Sequence, residues 1–274
     1  MNTQRYETDL SDDQWAWIEP FLPRPQPMGR PPADLRAVIH GIRYLVRTGC
    51  QWRMLPKDFP PWSTVHTWYR RWRQDGTWER IHEALRQQVR RHEGRNPSPR
   101  SSAADSQSVK TAGQGGERGF DNGKKVQGRK RHLGVDSLGL VLAVVVTGAD
   151  VPDSRAACTL FHRRLWDELP RLKVVYTDSQ YPAAYLDEEV FSWSPFRREV
   201  VSRPEGSEGL VKLPQRWVVE RTIAWLGRSR RLSKDDERKT ESSEAMIQVS
   251  MIHLMLRRLA PTEQSHTQRF RYVA

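Results

Sequence analysis

The sequence predicts an α/β fold, a mixed sheet flanked by helices, preceded by an all-α domain. Two observations predict it. Apolar residues recur at helical spacing as far as about residue 91 and afterwards fall into short strand-like runs, and a polar stretch with two prolines, His92 to Arg100, lies between the two regimes. The boundaries follow: a helical domain over 1–94, a sheet-containing domain over 101–260, and a polar, flexible tail over 261–274.

In the first domain, Ser11 with Gln14 three residues on forms a capping-box start, and Trp15, Ile18 and Leu22 share one face. A proline-rich stretch, Pro23 to Pro32, breaks that helix. From Asp34, residues Leu35, Val38, Ile39, Ile42, Leu45 and Val46 repeat at helical spacing until Thr48-Gly49 stops them. Ser63 is the expected cap of a third helix through Val65, Trp68, Tyr69 and Trp72, closed by Asp75-Gly76, and a fourth runs from Thr77 to about Arg91. Helices joined by tight turns, the third displaying Arg70, Arg71 and Arg73, are similar to a helix-turn-helix DNA-binding module. The tryptophans here read as core filling rather than base stacking.

In the second domain, strands are predicted over 102–109, 131–136 and 139–147, the last two joined by the Asp136-Ser137 turn. The run Gly139 to Thr147 is apolar throughout and reads as a buried strand. Asp153 caps a helix from Ser154 to Glu168; strand 172–177, a helix near 182–191, strand 197–202 and helix 214–227 follow. A final helix, Ser243 to Leu259, carries Met246, Val249, Ile252, Met255 and Leu256 on its apolar side. Three strands, helix, strand, helix, strand, helix is the order of a ribonuclease-H-like domain.

Charge points to the partner. Lys plus Arg number 45 against 33 Asp plus Glu, a formal net charge of +12, so a polyanion such as nucleic acid is the natural ligand. Only Cys50 and Cys158 are present, far apart and without metal-ligand spacing, and no apolar run reaches the ~20 residues of a membrane span. These features, with no apolar signal segment after Met1, predict a cytoplasmic protein, nucleoid-associated when bound to DNA.

Three acidic residues in separate elements stand out: Asp105 and Asp178 at the ends of strand-like runs, and Glu220 in the helix 214–227. Carboxylates converging from separate elements are the usual holders of two divalent cations about 3.5–4 Å apart, the machinery of in-line displacement at phosphorus. Mg²⁺, a hard ion satisfied by oxygen ligands, is the expected cofactor at two ions per site, with Mn²⁺ as a substitute. Asp136, Asp150 and Asp153 read as turn and cap carboxylates, and Glu205 and Glu208 as weaker candidates for the third ligand. Lys124, Lys125, Arg129, Lys130 and Arg131 form a basic run near Asp105, and Arg216, Arg221, Arg228 and Arg231 surround Glu220; both groups are expected to contact DNA.

Several strings resemble the insertion-sequence-five group of bacterial DDE-superfamily transposases. They are Arg47-Thr48-Gly49-Cys50-Gln51-Trp52-Arg53-Met54-Leu55-Pro56, Pro61-Trp62-Ser63-Thr64-Val65, Asp105-Ser106-Gln107-Ser108-Val109-Lys110-Thr111, Gly128-Arg129-Lys130-Arg131-His132, and Trp217-Val218-Val219-Glu220-Arg221-Thr222-Ile223-Ala224-Trp225-Leu226. The resemblance implies an enzyme that binds the terminal inverted repeats of its own element, cleaves them, and joins the 3′ ends to target DNA. It also implies Asp105, Asp178 and Glu220 as metal ligands, and action at two double-stranded ends by at least a homodimer. Gln180 replaces the usual glycine after the second aspartate, and Asp235-Asp236-Glu237 stands where many relatives have Asp-Tyr-Glu. Arg216 matches the arginine of a Tyr-Arg-Glu-Lys signature found in related families, whereas Leu213 and Gly227 do not match its tyrosine and lysine. A metal nuclease that cuts without joining, and a transposase-derived DNA-binding regulator without activity, are the alternative functions.

Overall fold

The computed structural model describes residues 6–23, 33–112, 115–162, 168–178, 187–192, 194–202, 213 and 215–262. Contacts gather the chain into two compact units, Met1–Arg95 with Gln248–Ala274, and Asn96–Ile247.

The first unit is built on α1 (Asp12–Ile18), α2 (Leu35–Thr48), α3 (Trp62–Gln74) and α4 (Thr77–His92). Ser11 Oγ accepts the Gln14 amide and Asp34 Oδ1 that of Ala37, so both expected caps are formed. The third helix starts two residues earlier than expected. Pro61, not Ser63, is its N-cap, and no side chain caps it. Val38, Ile39, Ile42, Val65, Tyr69, Trp72, Trp78, Ile81, Leu85 and Val89 fill the core. Trp72 and Trp78 meet edge to face at 5.2 Å, and Trp78 Nε1 donates to the Tyr69 carbonyl, so these rings are core, as their spacing predicts. Trp62 differs, being 39% exposed with Arg53 over its ring.

The second unit holds a six-stranded mixed sheet among the described residues. Its strands are β1 (Ser101–Lys110), β2 (Gly119–Asp121), β3 (Val126–Val135), β4 (Val141–Gly148), β5 (Val174–Thr177) and β6 (Arg197–Val200). β1 is central: it pairs antiparallel with β3 and parallel with β5, which pairs parallel with β6, while β2 and β4 both pair with β3. Ala104, Ala143, Leu160, Phe161, Leu172, Val175, Val190 and Phe196 form its core. Ala103 and Ala104 at the sheet centre are both buried, Ala104 within that core, and α6 (Trp217–Gly227) packs on β1 and β3. Helix α5 (Asp153–His162) lies against β3 and β4; residues 163–167 of its expected continuation and 182–186 of the helix expected near 182–191 fall outside the described residues, as do Glu205 and Glu208, while Asp187–Phe191 form a π-helical turn. The last helix, α7 (Thr240–Leu259), begins three residues before its expected start and divides between the two units, rather than lying wholly in the second.

The β3–β4 hairpin anchors α6. Asp136 Oδ1 accepts the amides of Leu138 and Leu140, which fixes the turn, and Thr222 Oγ1 and Arg221 Nη2 donate to the carbonyls of Gly139 and Leu138. Gly139 has φ +77, and a Cβ there would lie 2.8 Å from Thr222 Oγ1 and 2.9 Å from the Trp225 ring. Gly139→Ala therefore combines left-handed backbone strain with overpacking and should cost at least about 2 kcal/mol. A lowered denaturant midpoint checks this.

Candidate active site

The parallel register of β1 and β5 creates the site. Ala103 pairs with Tyr176; continuing the ladder by two residues sets Asp105 beside Asp178, and the period-two alternation of strands puts both carboxylates on one face. Arg216, at the N-terminus of α6, closes the gap. Its Nη2 lies 2.8 Å from Asp178 Oδ2 and 3.4 Å from Asp105 Oδ2. Burial raises the Asp105 pKa above its ordinary value; the Ser106 amide, Arg216 and Lys124 pull against that, and neighbouring Asp178 adds to it. The Lys124 Nζ donates to the Ser106 carbonyl at 3.1 Å, and its turn is held by Asp121, whose Oδ1 accepts the Gly123 and Lys124 amides.

Glu220 sits one turn beyond Arg216 on α6 and is exposed. Among the described residues no three His, Cys, Asp or Glu side chains are grouped as a metal site.

The basic run near Asp105 divides. Arg129, Lys130 and Arg131 were natural DNA contacts from sequence, but their side chains are buried inside the unit. Arg129 donates to Asp235 Oδ1 and to the carbonyls of Glu117, Glu237 and Arg238; Arg131 donates to those of Leu232 and Lys234; Lys130 Nζ donates to the Val151 carbonyl and pairs with Asp153. They hold the 232–238 segment and the end of β4 in place, which gives Asp235-Asp236-Glu237 a structural role. Arg231 is likewise buried, on Glu237. Arg221 is clamped between the rings of Trp217 and Trp225 at 4.2 and 4.6 Å, so neither tryptophan presents an open face there. Lys124, Lys125 and Arg228 are exposed, as are Arg70 and Arg71 on α3, with Arg73 half-buried.

Arg216 is the residue that sequence reasoning placed on DNA and that the structure places on the aspartates. Its position four residues before Glu220, hence on the same side of the helix, was the available signal.

A mixed sheet flanked by helices, with Asp105 and Asp178 paired on adjacent strands, agrees with a ribonuclease-H-like domain. Residues 96–256 match the family model described as "Transposase DDE domain", and residues 10–82 match one described as "Putative transposase of IS4/5 family". The chain belongs to the DDE transposases and is an enzyme of that class. Among its relatives, the "Insertion element IS402 uncharacterized 16.2 kDa protein" of Burkholderia cepacia is 36% identical over 113 residues, 39% of this chain and 76% of the relative. The "Putative transposase for insertion sequence element IS402" from the same organism is 32% identical over 144 residues, 50% of this chain and 67% of the relative. Family membership implies DNA as a partner and a divalent metal, typically Mg²⁺. The residues fit that ion: the donors are carboxylate oxygens, and Asp105 and Asp178 already converge on a cation. No helix among the described residues is long and apolar enough to cross a membrane.

Proposed function

We propose that the chain binds the terminal inverted repeats of its insertion sequence through the helical unit, cleaves them, and joins the 3′ ends to target DNA. The observation that carries this reading is the in-register pair Asp105 and Asp178, drawn onto one guanidinium beside the helix that bears Glu220. Asp105, Asp178 and Glu220 are the residues that would hold the divalent ions, two in this proposal. When bound, such ions lower the pKa of an attacking water or 3′ hydroxyl and stabilise the leaving 3′ oxygen. Lys124 stands beside Asp105 to receive a phosphate of the scissile strand, and Lys125 and Arg228 extend positive charge along the backbone path. One such site per chain and two ends per element require at least a dimer on DNA.

Helix α3 is the proposed recognition helix of a helix-turn-helix-like module. Its thirteen residues include no Asp or Glu, and its exposed positions include Ser63, Thr67, Arg70, Arg71 and Gln74, all hydrogen-bond donors. Arg71 lies over the Trp68 ring at 5.2 Å, which orders its guanidinium. The test is salt-dependent binding to element-end duplex DNA. Arg70→Ala and Arg71→Ala should each weaken binding and reduce the slope of log affinity against log salt by roughly 1, as loss of one phosphate contact does. Unchanged slopes in both would move the interface off α3.

A further inference from the structure

The site contains a cation of its own. The Arg216 side chain is 12% exposed, and its Nη2 is shared between Asp178 at 2.8 Å and Asp105 at 3.4 Å, while its Nε is buried with no hydrogen-bond partner among the described residues. This places positive charge where an ion shared by the two aspartates must sit, so the guanidinium and the metal exclude one another. Arg216 is held there by carboxylate oxygens of both aspartates. It yields only to another anion, and a DNA phosphate is the one this enzyme meets, matched in shape and charge to the arginine fork. The move is local: Arg216 precedes the first turn of α6 as its N-cap, so its side chain can turn without breaking the helix.

We propose that Arg216 is an interlock between DNA binding and metal binding. In the DNA-free protein it holds Asp105 and Asp178 together in place of the metal; on the complex it transfers to a backbone phosphate and vacates the aspartates. Metal is then held tightly only beside DNA, which suppresses hydrolysis by the free enzyme. This inference rests on the reading of Asp105 and Asp178 as metal ligands.

Calorimetric binding of Mn²⁺ to the full chain tests it, without DNA and with a pre-cut element-end duplex that a terminal dideoxynucleotide keeps from being joined. The wild type should gain on the order of tenfold in Mn²⁺ affinity when the duplex is present, and DNA-free Arg216→Gln should already bind Mn²⁺ about tenfold more tightly than DNA-free wild type and gain nothing from duplex. Arg216→Lys, a point charge without the fork, should fall between them, and its comparison decides if the glutamine variant does not fold by circular dichroism. Equal or weaker Mn²⁺ binding by the folded variants without DNA overturns the interlock. Asp105→Asn separates the two readings. If it binds Mn²⁺ as well as wild type, the ligand assignment itself fails; if it loses Mn²⁺ while the Arg216 variants gain none, only the interlock fails.

Discussion

Asp105→Asn should bind element-end DNA as tightly as the wild type and cut it at least roughly a thousandfold more slowly, a loss of about 4 kcal/mol of transition-state stabilisation. The asparagine keeps the size of the side chain and an oxygen able to accept the Ser106 amide that Asp105 Oδ1 accepts at 2.7 Å. What it removes is the negative charge with which Asp105 would hold a divalent ion. The variant should also be no less stable than the wild type. Burial raises the Asp105 pKa, so the folded state disfavours the ionised carboxylate. The sign is that of a raised acid: its contribution to stability is fully present below the unfolded pKa and lost as pH rises through the folded one. A neutral isostere relieves that cost, which is the usual exchange of stability for function at an active site. Single-turnover cleavage with Mg²⁺, run beside a binding titration and a denaturant melt, checks all three parts.

Arg129→Ala should fail in the opposite way, through the fold. The Arg129 side chain is 0% exposed and makes four hydrogen bonds, to Asp235 Oδ1 at 3.1 Å and to the carbonyls of Glu117, Glu237 and Arg238 at 2.7–2.8 Å. Truncation leaves Asp235, 2% exposed, without its buried counter-charge and three carbonyls without that donor. Breaking a buried pair from one side costs about 3–5 kcal/mol. The denaturant midpoint should fall accordingly, while DNA affinity of the protein that remains folded stays close to wild type. An Arg129→Ala chain of normal stability with a reduced salt slope in DNA binding would restore the arginine to the interface.

Much of the architecture was legible because local signals and tertiary environment agree. Ser11 and Asp34 announce the first two helices, and the apolar run after Gly139 becomes β4, with Val141, Ala143, Val146 and Gly148 buried and the positions between them half-buried. The short β2 and the early start of β3 at Val126 were not legible, since polar and basic residues occupy them and their pairing partner is each other. Ser63 looked like a cap, yet Pro61 with its fixed backbone sets the start of α3. Charge misled most. Arg129 and Arg131 read as part of a solvent-facing run because partners such as Asp235 and the carbonyls around it lie about a hundred residues away in sequence, and Lys130 because its partners, the Val151 carbonyl and Asp153, lie beyond β4; local pattern carries no information on such pairs. The same limit applies to Arg216: spacing from Glu220 identified the residue, but the aspartates it joins become neighbours only through the β1–β5 register.

The most direct measurement is a strand-transfer assay with labelled element-end DNA, target plasmid and Mg²⁺, using the wild-type chain. The account predicts metal-dependent cutting at the element end followed by covalent joining of the freed 3′ end to target. Cutting without joining would reduce the enzyme to a nuclease, and end binding with neither would contradict the assignment of Asp105, Asp178 and Glu220 to a transposase active site.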